Sequence, residues 1–171
     1  SWTEDLFVDL WMVDVAANGK TGTPQLFSKT LNSRYHEGPM AFDDDGTTIY
    51  FTRSDLQGNA RRGYDDKNNT RLKVYAACWI GADWVIQPEL PFNSSDFSTC
   101  HPALSASGDT LVFSSDRPGG YGGMDLWYVV REGKGWSAAA NLGQAINTAG
   151  NELFPTLHGS GCLYYSSDFM A

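Results

Sequence analysis

The chain has 171 residues, and 12 lysine and arginine residues against 20 aspartate and glutamate residues give a formal net charge of −8 at pH 7. This length fits one ordinary domain or part of a larger one, and 42% hydrophobic residues favour a packed core over disorder. The acidic balance argues against nucleic acid as a partner, because binding along a phosphate backbone requires excess lysine and arginine. The longest apolar run, residues 74–80, is much shorter than the roughly 20 residues of a membrane-spanning helix.

One pattern occurs three times along the chain: a proline, a short strand, a glycine turn and a strand with an aromatic residue. The copies occupy residues 39–53, 102–116 and 155–168, and their aromatic residues are Phe51, Phe113 and Tyr165. A second pattern, Asp-Leu-Trp, occurs at residues 9–11 and 125–127, with the divergent form Lys-Val-Tyr at 73–75. Repeats of several tens of residues are typical of propellers and solenoids.

Each repeat unit is predicted to contain four short strands, which we name A to D. In chain order, we expect strands C and D of one blade in residues 6–37, full blades in 38–97 and 98–150, and strands A and B of a further blade in 151–171. The B strands are apolar at consecutive positions, which predicts that both of their faces are covered. Four-stranded antiparallel sheets stacked face to face predict an all-β chain with the β-propeller fold.

Two details of this prediction concern loops. Alanines in residues 137–147 have helix propensity, but Gly143 favours an irregular loop there. The polar run 58–70 is the long B-to-C connection of the first full blade. Strand A is expected to follow the proline of each unit.

The chain contains about three blades, whereas propellers close with about four to eight. The exposed blade faces therefore require either the remaining blades of a longer propeller or a second copy of the chain. We favour the longer propeller, in which this chain is one part of the ring.

The sequence from 113 to 127, which includes Ser-Asp-Arg-Pro-Gly-Gly and Asp-Leu-Trp, is followed by Gly135-Trp136, Asn141-Leu-Gly143 and Asn-Glu-Leu-Phe-Pro at 151–155. These motifs resemble the WD-repeat-like, TolB-related β-propeller repeats of bacterial envelope proteins. The resemblance is to the version linked to OmpA-like peptidoglycan-binding domains, as in PorE-type lipoproteins of the type IX secretion system. It covers about the whole chain, is close in 98–150 and is weaker in 38–97.

The resemblance implies a periplasmic, outer-membrane-associated protein without catalytic residues or a cofactor. Its role would be a non-enzymatic scaffold or protein-interaction module in a secretion or envelope-anchoring complex. The implied partners are other envelope or secretion-system proteins, with no direct membrane span. Peptidoglycan binding is not assigned to these 171 residues, because they contain no OmpA-like segment.

Two sets of residues are candidates for a role in this propeller. Exposed arginine and aromatic side chains on the face formed by the B-to-C and D-to-A loops suit protein contact; they are Arg61, Arg62, Tyr64, Arg117 and Tyr121. Residues at repeat positions are expected to hold loops and blades together; they are Asp116, Asp125, Trp127, Trp136 and Glu152. The regular tryptophan series, which also includes Trp11 and Trp84, is expected to fill the gaps between blades.

Metal binding and catalysis have weaker support. The aspartates at 43–45 could bind calcium, but the equivalent turns at 105–108 and 158–161 contain no carboxylates, which favours plain hairpin turns. The histidines at 36, 101 and 158 lie at different offsets from the unit prolines and are not expected to converge. We therefore predict no metal site.

The alternative function is a propeller enzyme acting on glycans or peptides, with catalytic groups partly in blades outside this chain. The central channel discriminates between the two functions. Converging carboxylates or a nucleophile there would favour the enzyme, and an apolar channel would favour the scaffold.

Three cysteines leave at least one thiol outside any bridge within the chain. Cys78 and Cys100 could form a disulfide in an oxidising compartment, and the sequence leaves this open.

Overall fold

The structure, a computed structural model, describes residues 8–33, 35–54 and 70–169. Within these ranges every strand pairing is antiparallel and no helix occurs, so the predicted all-β class is confirmed. No helix in these ranges could cross a membrane.

Thirteen strands lie in four sheets over the described residues. The first sheet contains β1 (Trp11–Met12) and β2 (Gln25–Leu26). The second contains β3 (Glu37–Phe42), β4 (Thr48–Ser54), β5 (Leu72–Ile80) and β6 (Asp83–Ile86), paired in chain order. The third contains β7 (Thr99–Leu104), β8 (Thr110–Ser115), β9 (Asp125–Glu132) and β10 (Gly135–Trp136), and β11 (Ala140–Asn141) also pairs with β9. The fourth contains β12 (Glu152–Leu157) and β13 (Leu163–Ser167).

The two complete sheets have the A-B-C-D order of a blade, and their B strands are covered on both faces. The consecutive residues Tyr50 and Phe51 in β4, and Val112 and Phe113 in β8, are each at most 3% exposed. Consecutive residues of a strand point to opposite faces, so an apolar run such as this requires packing on both sides. The turn between strands A and B contains a glycine at positive φ in each unit, namely Gly46, Gly108 and Gly161. This conformation is accessible to glycine at little cost.

Two hydrophobic clusters lie between neighbouring sheets. One joins the β3–β6 sheet to the β7–β10 sheet, and there the Trp136 ring contacts the Tyr50 ring edge-on at a centroid distance of 5.9 Å. The other joins the β1–β2 sheet to the β3–β6 sheet around Phe51 and Trp84. Apolar burial between sheets is therefore the main stabilising interaction of this repeat array.

Two expectations require correction, and one question that the sequence left open is answered. The A strands begin two or three residues before the unit proline, and each shows a register shift next to it because proline has no N–H for the ladder. Trp11 does not fill a gap between blades, since 59% of it is exposed. Cys78 and Cys100 are free thiols, as is Cys162. The 137–147 segment contains the two-residue strand β11 within an otherwise irregular loop.

Candidate functional site

The three A strands converge on a shallow groove. Its volume is about 130 Å³, and it is lined by Met40, Ala41, Pro102, Ala103, Leu104, Pro155, Thr156 and Leu157. These lining residues include no carboxylate, imidazole or thiol. Pockets for small molecules usually measure roughly 300–1,000 Å³ and contain a few converging polar groups. The groove therefore presents no ionisable side chain for acid–base or nucleophilic chemistry.

The B-to-C loop of the β7–β10 sheet and the D-to-A loop that follows it contact each other. The Gly123 N–H donates to the Gly150 carbonyl at 2.8 Å, and the Met124 N–H donates to Asn151 Oδ1 at 3.0 Å. These loops lie at one end of the sheets and form what we call the loop face, residues 116–124 together with 142–151. Backbone bonds between the two loops give this face a defined shape.

The side chain of Asp125 holds the B-to-C loop in place through hydrogen bonds to the loop backbone. It is fully buried, and its carboxylate accepts hydrogen bonds from the Tyr121 N–H at 2.7 Å and the Gly122 N–H at 3.1 Å. It also accepts one from Asn141 Nδ2 at 2.7 Å. A buried carboxylate is stable only when such donors replace water. The position of Asp125 at the start of β9 thus fixes the glycine-rich loop through its backbone.

Glu152 has the same function for the D-to-A loop. Its fully buried carboxylate accepts from Thr148 Oγ1 at 2.5 Å, the Thr148 N–H at 3.0 Å and Ser167 Oγ at 2.8 Å. Glu37 repeats this arrangement with Ser33, at 2.5 Å to the hydroxyl and 3.3 Å to the N–H. These glutamates are engaged by loop residues and do not line the groove between the A strands.

An asparagine two-point bond occurs once per unit. Asn32, Asn93 and Asn147 each accept from a backbone N–H and donate to the carbonyl of the same residue, which lies in a C strand or directly before it, with distances of 2.8–3.3 Å. In the sequence, Asn32 and Asn147 are each followed five residues later by a glutamate, whereas Asn93 is followed by Thr99 at the glutamate position. The three asparagines lie seven, nine and eight residues before their unit prolines, so spacing alone does not reveal the set.

Arg117 belongs to the blade interior more than to an exposed interaction surface. Its guanidinium lies 4.7 Å from the Phe97 ring centroid and 5.0 Å from that of Phe113, and it donates to the Phe92 carbonyl at 2.9 Å. Burial lowers the pKa of Arg117 to about 10, which still leaves it charged at neutral pH. Cation–π contacts and a carbonyl engage the guanidinium within the chain, and partner contact by Arg117 stays a prediction.

Arg53 occupies the corresponding place in the preceding blade, although it arises from a different repeat position. Its guanidinium lies 5.1 Å from the Phe51 ring centroid and 5.5 Å from that of Tyr75, and it donates to the Leu31 carbonyl. It also forms an ion pair with the buried Glu37 at 3.1 Å. The Arg117 guanidinium also lies 5.2 Å from the Trp127 ring centroid, and Phe113 and Trp127 are the repeat equivalents of Phe51 and Tyr75. Two blades therefore place a guanidinium against the same pair of ring positions.

The other predicted residues are distributed as follows. Tyr121 lies at the tip of the loop face and is 51% exposed. Arg61, Arg62 and Tyr64 lie outside the described residues. Asp116 accepts from the Ser98 N–H at 2.6 Å, which ties the B-to-C loop to the preceding D-to-A loop.

Trp127 and Trp136, which were predicted to hold blades together, are buried between sheets. Arg131 lies over the Trp136 ring at 4.0 Å from its centroid. Both tryptophans therefore contribute to the packing between blades.

His101 and Phe154 mark the loop-face end of two neighbouring A strands. Their rings stack at a centroid distance of 4.0 Å, and both residues have positive φ, 54° and 53°. Non-glycine residues rarely adopt this conformation, so the stacking and the adjacent register shifts accompany local backbone strain. Burial lowers the pKa of His101 to about 4, and burial together with the charge of Asp116 raises the pKa of Cys100 to about 12. Both groups are neutral at pH 7.

We expect His101 to make stability dependent on pH between about 6.5 and 4. The unfolded chain binds the histidine proton near pH 6.5, whereas the folded chain binds it near pH 4. Stability from this group is therefore complete above pH 6.5 and falls as the pH decreases through this window. The partly exposed ring reduces the expected loss to about 1–2 kcal/mol. Urea unfolding at pH 7.5 and 4.5 should show a smaller acid loss for His101→Asn, since asparagine tolerates positive φ.

The control for this experiment is His158→Asn, which changes an exposed turn. This variant should retain the acid loss of the unmodified chain. An equal loss in His101→Asn would contradict the assignment to His101.

The acidic turn at residues 43–45 is satisfied by its own loop. Asp45 Oδ1 accepts from the Thr47 N–H at 2.9 Å and the Thr47 hydroxyl at 2.6 Å, and these bonds lower the pKa of Asp45. Asp43 accepts from the Thr48 N–H at 2.8 Å. Across residues 8–33, 35–54 and 70–169, no group of three or more histidine, cysteine, aspartate or glutamate side chains is arranged to hold a metal ion.

We compared the fold of this chain with those of solved protein structures. A solved structure assigned as TolB from Agrobacterium tumefaciens matches 92% of this chain with a TM-score of 0.53 and 19% sequence identity, over 49% of its own length. The fold is a β-propeller. TolB from Acinetobacter baumannii matches over 92% of this chain and 45% of its own, with a TM-score of 0.40 and 14% identity. The chain thus spans about half the length of these two solved structures.

The TolB-like propeller predicted from the repeat motifs is confirmed at the level of fold. No protein-family model matches the chain, and no curated protein matches it either.

Proposed function

We propose that this chain contributes blades to a non-enzymatic β-propeller that binds other proteins in the bacterial periplasm, in association with the outer membrane. The observation that carries the proposal is the contrast between the two surfaces described above. The inner groove is small and lined by no ionisable side chain, while the loop face is held in shape by buried carboxylates and presents Tyr121 to solvent. Exposed tyrosines on rigid loops are suited to protein recognition.

The cellular setting is the finer part of the proposal. The repeat motifs resemble those of OmpA-linked, PorE-type lipoproteins of the type IX secretion system, which supports a scaffold role in a secretion or envelope-anchoring complex. The partners would then be other envelope or secretion-system proteins. The likeness to solved TolB structures supports the propeller on which this role is built.

The test is retention of envelope proteins on the immobilised chain. Tyr121→Ala should lower the retained amount of a specific partner about tenfold, because a central tyrosine contact is worth about 1–2 kcal/mol. A second variant, Arg61→Ala with Arg62→Ala, tests the predicted residues that lie outside the described ranges. Both variants should keep the unfolding midpoint of the original chain.

The matched control is Lys134→Ala, an exposed residue in a C-to-D turn at the opposite end of the sheet. This change should leave retention unaltered. Unchanged retention in both the Tyr121 variant and the Arg61 and Arg62 variant, or an equal loss in the control, would overturn the assignment of these residues to the binding surface.

A further inference from the structure

The asparagines in the described ranges differ in what their side-chain amides bind. Most of them donate through the NH2 group to a protein oxygen at 2.7–2.9 Å; these are Asn32, Asn93, Asn141, Asn147 and Asn151. Asn18 differs, because its NH2 group donates to no other described residue. An amide that is held by hydrogen bonds cannot rotate toward the next peptide bond, whereas the amide of Asn18 is free to do so.

Asn18 lies exposed in the turn between β1 and β2. The corresponding C-to-D turns of the two complete blades, residues 80–83 and 132–135, are exposed as well. Exposure of this turn is thus a property of its place in the blade and does not depend on what lies beside the β1–β2 sheet. Water therefore reaches the Asn18 side chain.

The residue after Asn18 is Gly19, and this is the one Asn-Gly pair in the sequence. Gly19 has no side chain to shield its nitrogen, and even a Cβ atom there would meet no atom within 4 Å. The Lys20 N–H donates to Asn18 Oδ1 at 3.1 Å. A donor in this position stabilises the negative charge that develops on the oxygen when a nucleophile attacks the adjacent carbon. The turn therefore combines an accessible nucleophile with a polarised amide.

We propose that Asn18 is a site of spontaneous deamidation. The Gly19 nitrogen attacks Cγ of Asn18, the Cγ–Nδ2 bond breaks, and the amide nitrogen leaves as ammonia with the proton from the Gly19 N–H. Water then opens the resulting succinimide. Opening at Cγ gives aspartate, and opening at the main-chain carbonyl gives isoaspartate. Water is the only co-reactant, and this inference does not depend on the proposed binding of envelope proteins.

The hydrogen bonds of the fold select Asn18 over the other asparagines. The Gly19 N–H donates to the Ala16 carbonyl at 2.8 Å, and this bond must open before the attack. It lies in an exposed turn, which opens locally at a much lower free energy than the whole chain unfolds. Asn32 and Asn93, each followed by serine, are instead held by two bonds to one backbone residue. Breaking two bonds first should slow their reaction by roughly tenfold or more.

The products change the charge and the main chain of the turn. Both replace a neutral amide by a carboxylate, so the net charge of −8 becomes one unit more negative. Isoaspartate also inserts a methylene group into the main chain. The turn is closed by the Ala16 N–H bond to the Lys20 carbonyl at 2.8 Å and by the Val15–Thr21 bridge. We expect the longer main chain to weaken both.

The first test is peptide mapping of the folded chain by mass spectrometry after incubation at mildly alkaline pH. Conversion at Asn18 should be at least about tenfold faster than at Asn32 or Asn93. Ion exchange should resolve a more acidic form, and an isoaspartyl methyltransferase used as a reagent should methylate the fraction that contains isoaspartate. No conversion at Asn18 in the folded chain would overturn the proposal.

The second test separates the effect of the fold from that of the sequence. Asn18→Gln, whose side chain would have to close a larger ring, is the matched variant and should abolish the acidic form. The same acidic form in this variant would place the reaction at another residue and overturn the assignment. In urea, Asn32 and Asn93 should convert about tenfold faster than in the folded chain, because their bonds are released. Equal rates in the two conditions would contradict the protection assigned to these bonds.

Discussion

Replacing Asp125 by alanine is expected to destabilise the chain by about 3–5 kcal/mol. The side chain is fully buried and accepts hydrogen bonds from two backbone N–H groups and one asparagine amide. Its removal leaves these part-buried donors without their partner, and each unsatisfied buried donor costs about 1–3 kcal/mol. Since a domain is stable by only about 5–15 kcal/mol, urea denaturation should show a much lower midpoint or an unfolded chain.

Asp109→Ala is the matched control for this change. Asp109 also accepts three side-chain hydrogen bonds, from Ser105, Ser107 and Thr110 at 2.7–3.0 Å, but it lies in an exposed turn. Water can replace these bonds, so the expected loss is much smaller than for Asp125→Ala. Similar losses in the two variants would show that burial does not determine the contribution of Asp125.

Replacing Gly122 by alanine is expected to cost about 3 kcal/mol and to disorder the loop face. A Cβ atom at this position would clash with the carbonyl oxygens of Thr148 and Gly150. These are backbone atoms in a loop already tied by Glu152, so they cannot move aside as the end of a flexible side chain could. Thermal unfolding should show a lower midpoint, and partner retention should fall with it.

Gly159→Ala is the control for the steric argument. A Cβ atom there would meet no atom within 4 Å, and its φ is not in the left-handed region. We expect a change within about 0.5 kcal/mol. If Gly122→Ala were as stable as this control, the close approach of the two loops in the structure would be incorrect.

The repeat pattern was sufficient to predict the four-stranded sheets, because a strand that is buried on both faces has apolar residues at consecutive positions. Phe51 and Phe113 lie in such apolar runs, and both rings are completely buried in the structure. The start of strand A was not predictable in this way. Proline interrupts the ladder, and pairing resumes upstream through backbone groups whose sequence signal is weak.

The loop face could be predicted only in part. Asp125 and Glu152 occupy repeat positions, and their buried bonds to nearby loops follow from that periodicity. The environment of Arg117 was not evident, since its three ring partners come from different segments of the chain. Exposure of a long cationic side chain depends on which apolar surface its stem can cover, and a local sequence pattern does not encode this.

The guanidinium groups of Arg53 and Arg117 have a consequence for protein engineering. They reach equivalent aromatic cavities, yet in the repeat alignment Arg53 falls in the column of Ser115, two positions before Arg117. A designer who averaged the repeats column by column would obtain a blade with two cations crowded into one cavity, or with none. When blades of this type are recombined or redesigned, the residues at both alignment columns, that of Arg53 and that of Arg117, should therefore be taken from the same natural blade.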